Sequence, residues 1–125
     1  MAKCEEGYRC SICGGDVEDI RESSLYLRYV LGMIDPETLH ATPDRHLRCD
    51  EALAQFVVDP DFAPIERTDG ISKRDLDPAF VAEREAFVTR GWRRLQELFD
   101  RLQGEEISVL DYPLPEVTQK LRGEG

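Results

Sequence analysis

The chain carries two tight half-sites, Cys10-Ser11-Ile12-Cys13 and His46-Leu47-Arg48-Cys49, and few patterns restrict a fold more. Two thiols two residues apart, followed by Gly14-Gly15, form a turn that can aim both sulfurs at one ion. A histidine and a cysteine three positions apart can supply the other two ligands. The chain has only 4 cysteines, and three of them fall into this arrangement. The leading expectation is therefore a tetrahedral zinc site formed by Cys10, Cys13, His46 and Cys49.

The flanking residues fit that reading. Tyr8-Arg9-Cys10 reads as an incoming strand and Asp16-Val17-Glu18-Asp19-Ile20 as an outgoing one, with Gly14 and Gly15 where the turn calls for positive φ. In sequence the stretch resembles the zinc knuckles of zinc-ribbon and treble-clef modules, over residues 8–15 and, by analogy, 46–49. Thirty-two residues separate Cys13 from His46, more than the roughly 12–20 of small zinc fingers. The treble-clef resemblance implies that the second half-site lies at the start of a helix after an insertion. The competing readings are a redox Cys-x-x-Cys, which needs a βαβ context that nothing around Cys10 supplies, and unrelated buried thiols. Cys4 could replace His46, giving a second ligand set of Cys4, Cys10, Cys13 and Cys49. His40 also competes with His46, but it lacks a partner at ligand spacing and is assigned a surface or structural role.

With 125 residues, 41% hydrophobic and 34% charged, the sequence predicts one globular domain. Its expected parts are a zinc-knuckle module over 4–58, a linker over 59–76, and a long helix with a tail over 77–125. No apolar run approaches the ~18 residues of a membrane span, so no membrane partner is expected. Met1-Ala2-Lys3-Cys4-Glu5-Glu6 lacks the apolar core of a secretory signal. A cytoplasmic location follows as an expectation, and reduced thiols there favour metal binding over disulfides. The formal charge of −10 is spread along the chain: residues 1–60 hold 12 acids and 6 bases, residues 61–125 hold 14 and 10. Such a field repels phosphate backbones and argues against nucleic acid.

The fold class expected is mainly α, with a small β-hairpin zinc knuckle and a long C-terminal helix, a small α+β zinc-binding domain. Residues 20–34 are so uniformly apolar that strand and helix periodicities both fit. Leucine richness, a serine cap at Ser23 or Ser24, and Gly32 favour a buried helix with Tyr26 and Tyr29 in the core. Asp35-Pro36-Glu37 predicts one short turn ending near His40. Thr42-Pro43-Asp44 predicts a helix to about Val58 with Leu47, Leu53, Phe56 and Val57 as its stripe, unless the helix starts only at Asp50. Asp59 to Leu76 is turn-rich, with Ile65 and Ile71 expected to pack along the surface. Asp77-Pro78 opens a helix to about Gln103, terminated at Gly104. Val81, Val88, Leu95 and Leu102 form its seam, widened by Trp92, Leu98 and Phe99, with Phe80 and Phe87 beside it and Arg93, Glu97 and Arg101 as an exposed ladder. Ile107 to Leu110 is read as a short edge strand, Tyr112-Pro113-Leu114-Pro115 as an extended end to regular structure, and Arg122 to Gly125 as disordered.

Two function classes follow. A site closed by four protein ligands suits a structural zinc in a protein-interaction or regulatory module, with a protein partner or a second copy docking on the 78–103 helix, where Trp92 is either a contact or a core anchor. The alternative is a metal-dependent enzyme, hydrolase- or nuclease-like, which needs an open metal position or an activated nucleophile. Leu39 to His46 has some likeness to an HNH-type nuclease, but lacks that family's adjacent Asp-His pair and downstream asparagine. No catalytic residue is assigned.

Overall fold

The computed structural model describes residues 8–17, 19–39, 41–67 and 70–117. Cys4, His40 and the 122–125 tail, on which three expectations fell, lie outside these residues. Within them the chain is mainly helical, with one antiparallel hairpin. Strands β1 (Tyr8–Arg9) and β2 (Asp16–Val17) pair Tyr8 with Val17 and Arg9 with Asp16. The helices are α1 (Ser24–Val30), α2 (Pro36–Leu39), α3 (Glu51–Ala54) and the long α4 (Pro78–Leu102).

Local chemistry explains most of the boundaries. The Asp19 carboxylate accepts from Arg21 N at 2.9 Å and starts a single tight turn, Ile20–Glu22. Ser23 then caps α1, its hydroxyl accepting from Tyr26 N at 3.0 Å. Gly32 ends that segment at φ +85, a conformation that a Cβ opposes. Six of the seven α1 residues are buried, Tyr26 and Tyr29 among them. A helix buried nearly all round has no polar face to show a period, which is why alternation and helical spacing fitted equally well.

Helix α4 runs as its caps predict. The Asp77 carboxylate accepts from Ala79 N at 3.1 Å and Phe80 N at 3.2 Å, with Pro78 in the first turn. From Val88 onward its inner face is core: Val88, Gly91, Leu95 and Leu98 are buried, and Trp92 meets the edge of Phe62 at 5.7 Å between ring centroids. The first turns project beyond that core, leaving Phe80 48% exposed. The Thr89 hydroxyl accepts from Val58 N at 2.9 Å and donates to the Phe56 carbonyl at 3.3 Å, fixing the chain that leaves α3.

Five expectations are corrected. Thr42-Pro43-Asp44 opens no helix, because Asp44 is buried and its carboxylate is engaged elsewhere (below); the helix begins after Asp50, as the second option had it, and α3 ends at Ala54, short of Val58. Ile107 to Leu110 forms no strand: Ser108 caps a tight turn, Val109–Asp111, whose Val109 carbonyl accepts from Tyr29 Oη at 2.8 Å. Residues 115–117 are helical, so regular structure does not stop at the prolines. Ile71 is 62% exposed, unlike the partly buried Ile65. In the α4 ladder, Arg93 turns away to Asp59 at 2.8 Å, and Glu97 pairs with Arg94 and Arg101.

Gly91 marks the closest approach of α4 to α1. A Cβ there would stand 2.5 Å from Leu31 Cδ2 and 3.1 Å from Leu27 Cδ1, both on buried side chains. Alanine should gain ~1 kcal/mol of helix propensity, and overpacking costs about 1–3 kcal/mol. Gly91→Ala is expected to lower stability in urea unfolding, while Gly104→Ala, facing open space, stays near wild type. A gain for Gly91→Ala would show that the seam has slack.

Candidate metal centre

The first half-site is built by the hairpin turn. Cys10 N donates to the Gly15 carbonyl at 2.8 Å and Gly14 N to the Cys10 carbonyl at 2.9 Å, with Gly14 at φ +79. Gly15 takes no positive φ. This loop points amide groups inward: Ile12 N and Cys13 N each donate to Cys10 Sγ at 3.4 Å, and Gly15 N donates to Cys13 Sγ at 3.4 Å. Sulfur that accepts several N–H bonds is stabilised as thiolate.

The second half-site closes on the first across the chain. His46 bridges to Ser23 as a short antiparallel contact and caps the single turn Leu47–Cys49. Its backbone N–H is a third donor to Cys10 Sγ, at 3.3 Å. Its ring is oriented at both nitrogens. Nδ1 lies 3.3 Å from Cys13 Sγ and 3.9 Å from Cys49 Sγ, while Nε2 stands 2.7 Å from the Asp16 carbonyl. A carbonyl can only accept, so Nε2 carries the proton and Nδ1 faces the sulfurs with its lone pair whenever the ring is neutral.

The ligand atoms of Cys10, Cys13, His46 and Cys49 all lie within 4.8 Å of one another. Zinc bond lengths of ~2.3 Å to sulfur and ~2.0–2.1 Å to nitrogen imply tetrahedron edges of about 3.5–3.8 Å, close to the 3.3 and 3.9 Å found between Nδ1 and two of the sulfurs. The cluster is close enough to hold a metal ion, and the three cysteines in it are free thiols.

Electrostatics favour a cation among them. Burial raises the Cys10 thiol, but the N–H groups of Cys13, His46 and Ile12 outweigh it and bring the pKa down to about 6. Burial, with Cys10 and Cys13 alongside, pushes Cys49 up to about 12. Burial lowers the His46 imidazolium, but the Asp16 carbonyl and the sulfurs of Cys13 and Cys10 outweigh it and raise the pKa to about 9. These shifts favour a thiolate at Cys10 and an imidazolium at His46, and oppose ionisation of Cys49. A divalent ion removes that resistance.

Behind the cluster stands Asp44, which the helix expected from Thr42-Pro43-Asp44 would place as an acid in its first turn. Asp44, 2% exposed, accepts from Ser23 Oγ at 2.9 and 2.8 Å, Leu25 N at 3.3 Å and Arg45 N at 2.7 Å, while its carbonyl accepts from Ser11 N at 3.0 Å. One residue thus joins the knuckle, the start of α1 and the approach to His46. Ser24 Oγ adds a bond of 2.5 Å to Asp50, just before α3. Nothing in Thr42-Pro43-Asp44 signals this, because the donors come from residues 11, 23 and 25.

A cavity of about 550 Å³ abuts the cluster, with His46 and Cys49 in its wall. Its wall also holds the buried Leu47, Phe62 and Trp92, the exposed Arg21, Glu22 and Arg48, and the partly buried Gln96.

Removing the Asp44 carboxylate strands buried donors, at about 1–3 kcal/mol for each left unsatisfied. Asp44→Ala should lose at least 3 kcal/mol in denaturant unfolding, against less than about 0.5 kcal/mol for Asp61→Ala on the surface. Equal melting of the two variants would remove Asp44 from this role. In comparisons with known proteins, no family model, no curated protein and no solved structure matches the chain.

Proposed function

We propose that the chain is a small zinc protein in which Cys10, Cys13, His46 and Cys49 hold one structural ion, and that it acts as an interaction or regulatory module rather than through chemistry at the metal. One observation carries this reading: four ligand atoms gather within 4.8 Å of one another, with N–H groups directed at Cys10 and Cys13 and the far side of the His46 ring tied to the Asp16 carbonyl. Four protein ligands complete a tetrahedron and leave no position for substrate. We read residues 1–125 as one domain, in which the ion joins the hairpin to the turn before α3.

The interaction surface we assign is the first part of α4, within the 78–103 helix. Phe80 is exposed there and Phe87 half-buried, whereas Trp92 belongs to the core at 7% exposed. A second reading, a metal-dependent hydrolase, draws support from the cavity that His46 and Cys49 help line. It requires one of those ligands to leave the ion. Among the described residues no helix is long and apolar enough to cross a membrane.

The direct test is elemental analysis of the purified chain with X-ray absorption at the zinc edge. One zinc with three sulfurs and one nitrogen is expected, and Cys13→Ser should lose both metal and stability. Three protein ligands plus water would favour the hydrolase.

The pH dependence has a definite sign. At pH 7, zinc must displace a proton from Cys49, raised to about 12, and from His46, raised to about 9. Apparent zinc affinity should therefore rise between pH 7 and 9, by roughly a hundredfold per pH unit from these two protons. Competition against a chelator of known proton dependence measures it. A flat profile would mean that neither group binds the ion.

A further inference from the structure

The cavity beside the cluster has an interior and a rim of different chemistry. Its interior is apolar, formed by the buried Leu47, Phe62 and Trp92. Its volume of about 550 Å³ falls within the ~300–1,000 Å³ of small-molecule sites. The rim carries Arg21, Glu22 and Arg48, and these three are not equivalent.

Arg21 is committed. Its guanidinium makes a two-bond pair with Asp19, at 3.0 and 2.9 Å, and lies 3.6 Å over the Phe99 ring. Glu22 is a half-exposed carboxylate whose Oε1 stands 4.0 Å from His46 Nε2. Arg48 differs from both. It has no carboxylate partner among the described residues, and its one hydrogen bond goes to the Ala63 carbonyl at 3.4 Å. Its guanidinium lies over Phe62, itself part of the cavity wall, at 4.4 Å from the ring centroid. That contact and the bond from Nη1 leave the Nε and Nη2 donors to take a carboxylate in two parallel bonds.

We infer that this cavity binds a small organic acid, with one carboxylate on Arg48 and an apolar body laid over Phe62, Trp92 and Leu47. The surrounding charge selects a monoanion. Glu22 repels a second negative group, and three thiolates with a neutral imidazole around a divalent ion leave the neighbouring cluster at net −1. The chain as a whole carries −10, which disfavours polyphosphates. An ammonium in the same place would face Arg48, and an alcohol would forgo the charge-assisted pair. Recognition rests on Arg48 and the apolar wall, not on an open metal position; only the charge of the neighbouring cluster rests on the zinc reading.

Trp92 is the only tryptophan in the chain, so its emission reports occupancy directly. The full-length, zinc-loaded protein is titrated with octanoate, octan-1-ol and octylamine, which share an apolar body, each kept below its aggregation limit. Octanoate should change Trp92 emission saturably, with affinity at least tenfold above octan-1-ol and with no saturable response to octylamine. Arg48→Gln should weaken octanoate about tenfold or more and leave octan-1-ol unchanged. Arg101→Gln, in an exposed pair with Glu105, should change neither. Zinc is measured in every sample. Equal affinity for octanoate and octan-1-ol overturns the proposal, as does absence of a saturable response or a fluorescence change that tracks zinc leaving the protein. If Arg48→Gln lowers the melting temperature, the wild-type comparison of the three head groups decides alone.

Discussion

The buried carboxylate of Asp44 is the interaction on which this architecture turns. A carboxylate out of water must be surrounded by donors, and those here come from three separate stretches of chain: the Ser23 hydroxyl, Leu25 N and Arg45 N, with Ser11 N on the carbonyl of the same residue. Satisfying it puts the amino end of α1 against the segment that delivers His46. The knuckle, the ligand turn and the helical core thereby share one polar anchor. The same anchor helps to bring three thiols and an imidazole within 4.8 Å of one another.

Some of this was legible in the residues because the chemistry is local. The start of α4 follows from an aspartate before a proline, and its end falls just before Gly104, although that glycine takes no positive φ, so its bounds came within a residue. The knuckle follows from Cys-x-x-Cys-Gly and a turn that one glycine at positive φ completes. A serine before an apolar run has the use of a cap, which left Ser23 and Ser24 as candidates, and Ser23 takes it. Each of these signals lies within four residues of what it determines.

Other features were hidden because their partners are distant. Asp44 reads as an N-terminal helix acid until donors nineteen and twenty-one positions away are known. Ile107 to Leu110 has strand composition, but the Tyr29 hydroxyl, 80 residues earlier, takes the Val109 carbonyl, and a serine cap completes a turn instead. The Asp16 carbonyl that orients the His46 ring is a backbone group, which no composition can reveal. Arg48 is similar: thirteen arginines in an acidic chain look like bias, and only its ring contact with Phe62 sets this one apart.

The distance along the chain between the two half-sites has a consequence for how the molecule comes together. The 32 residues between Cys13 and His46 contain all of α1, the element that packs on α4. A bond between the half-sites closes a loop of that length, at about 3 kcal/mol of chain entropy plus a constant. An ion captured early would meet that cost before the core exists, and α1 would then reach α4 from within a tethered loop rather than from an open chain. Closure at the sulfurs and assembly of the helices would in that case be successive stages of one search. The order in which they occur governs the speed of folding as well as its end point.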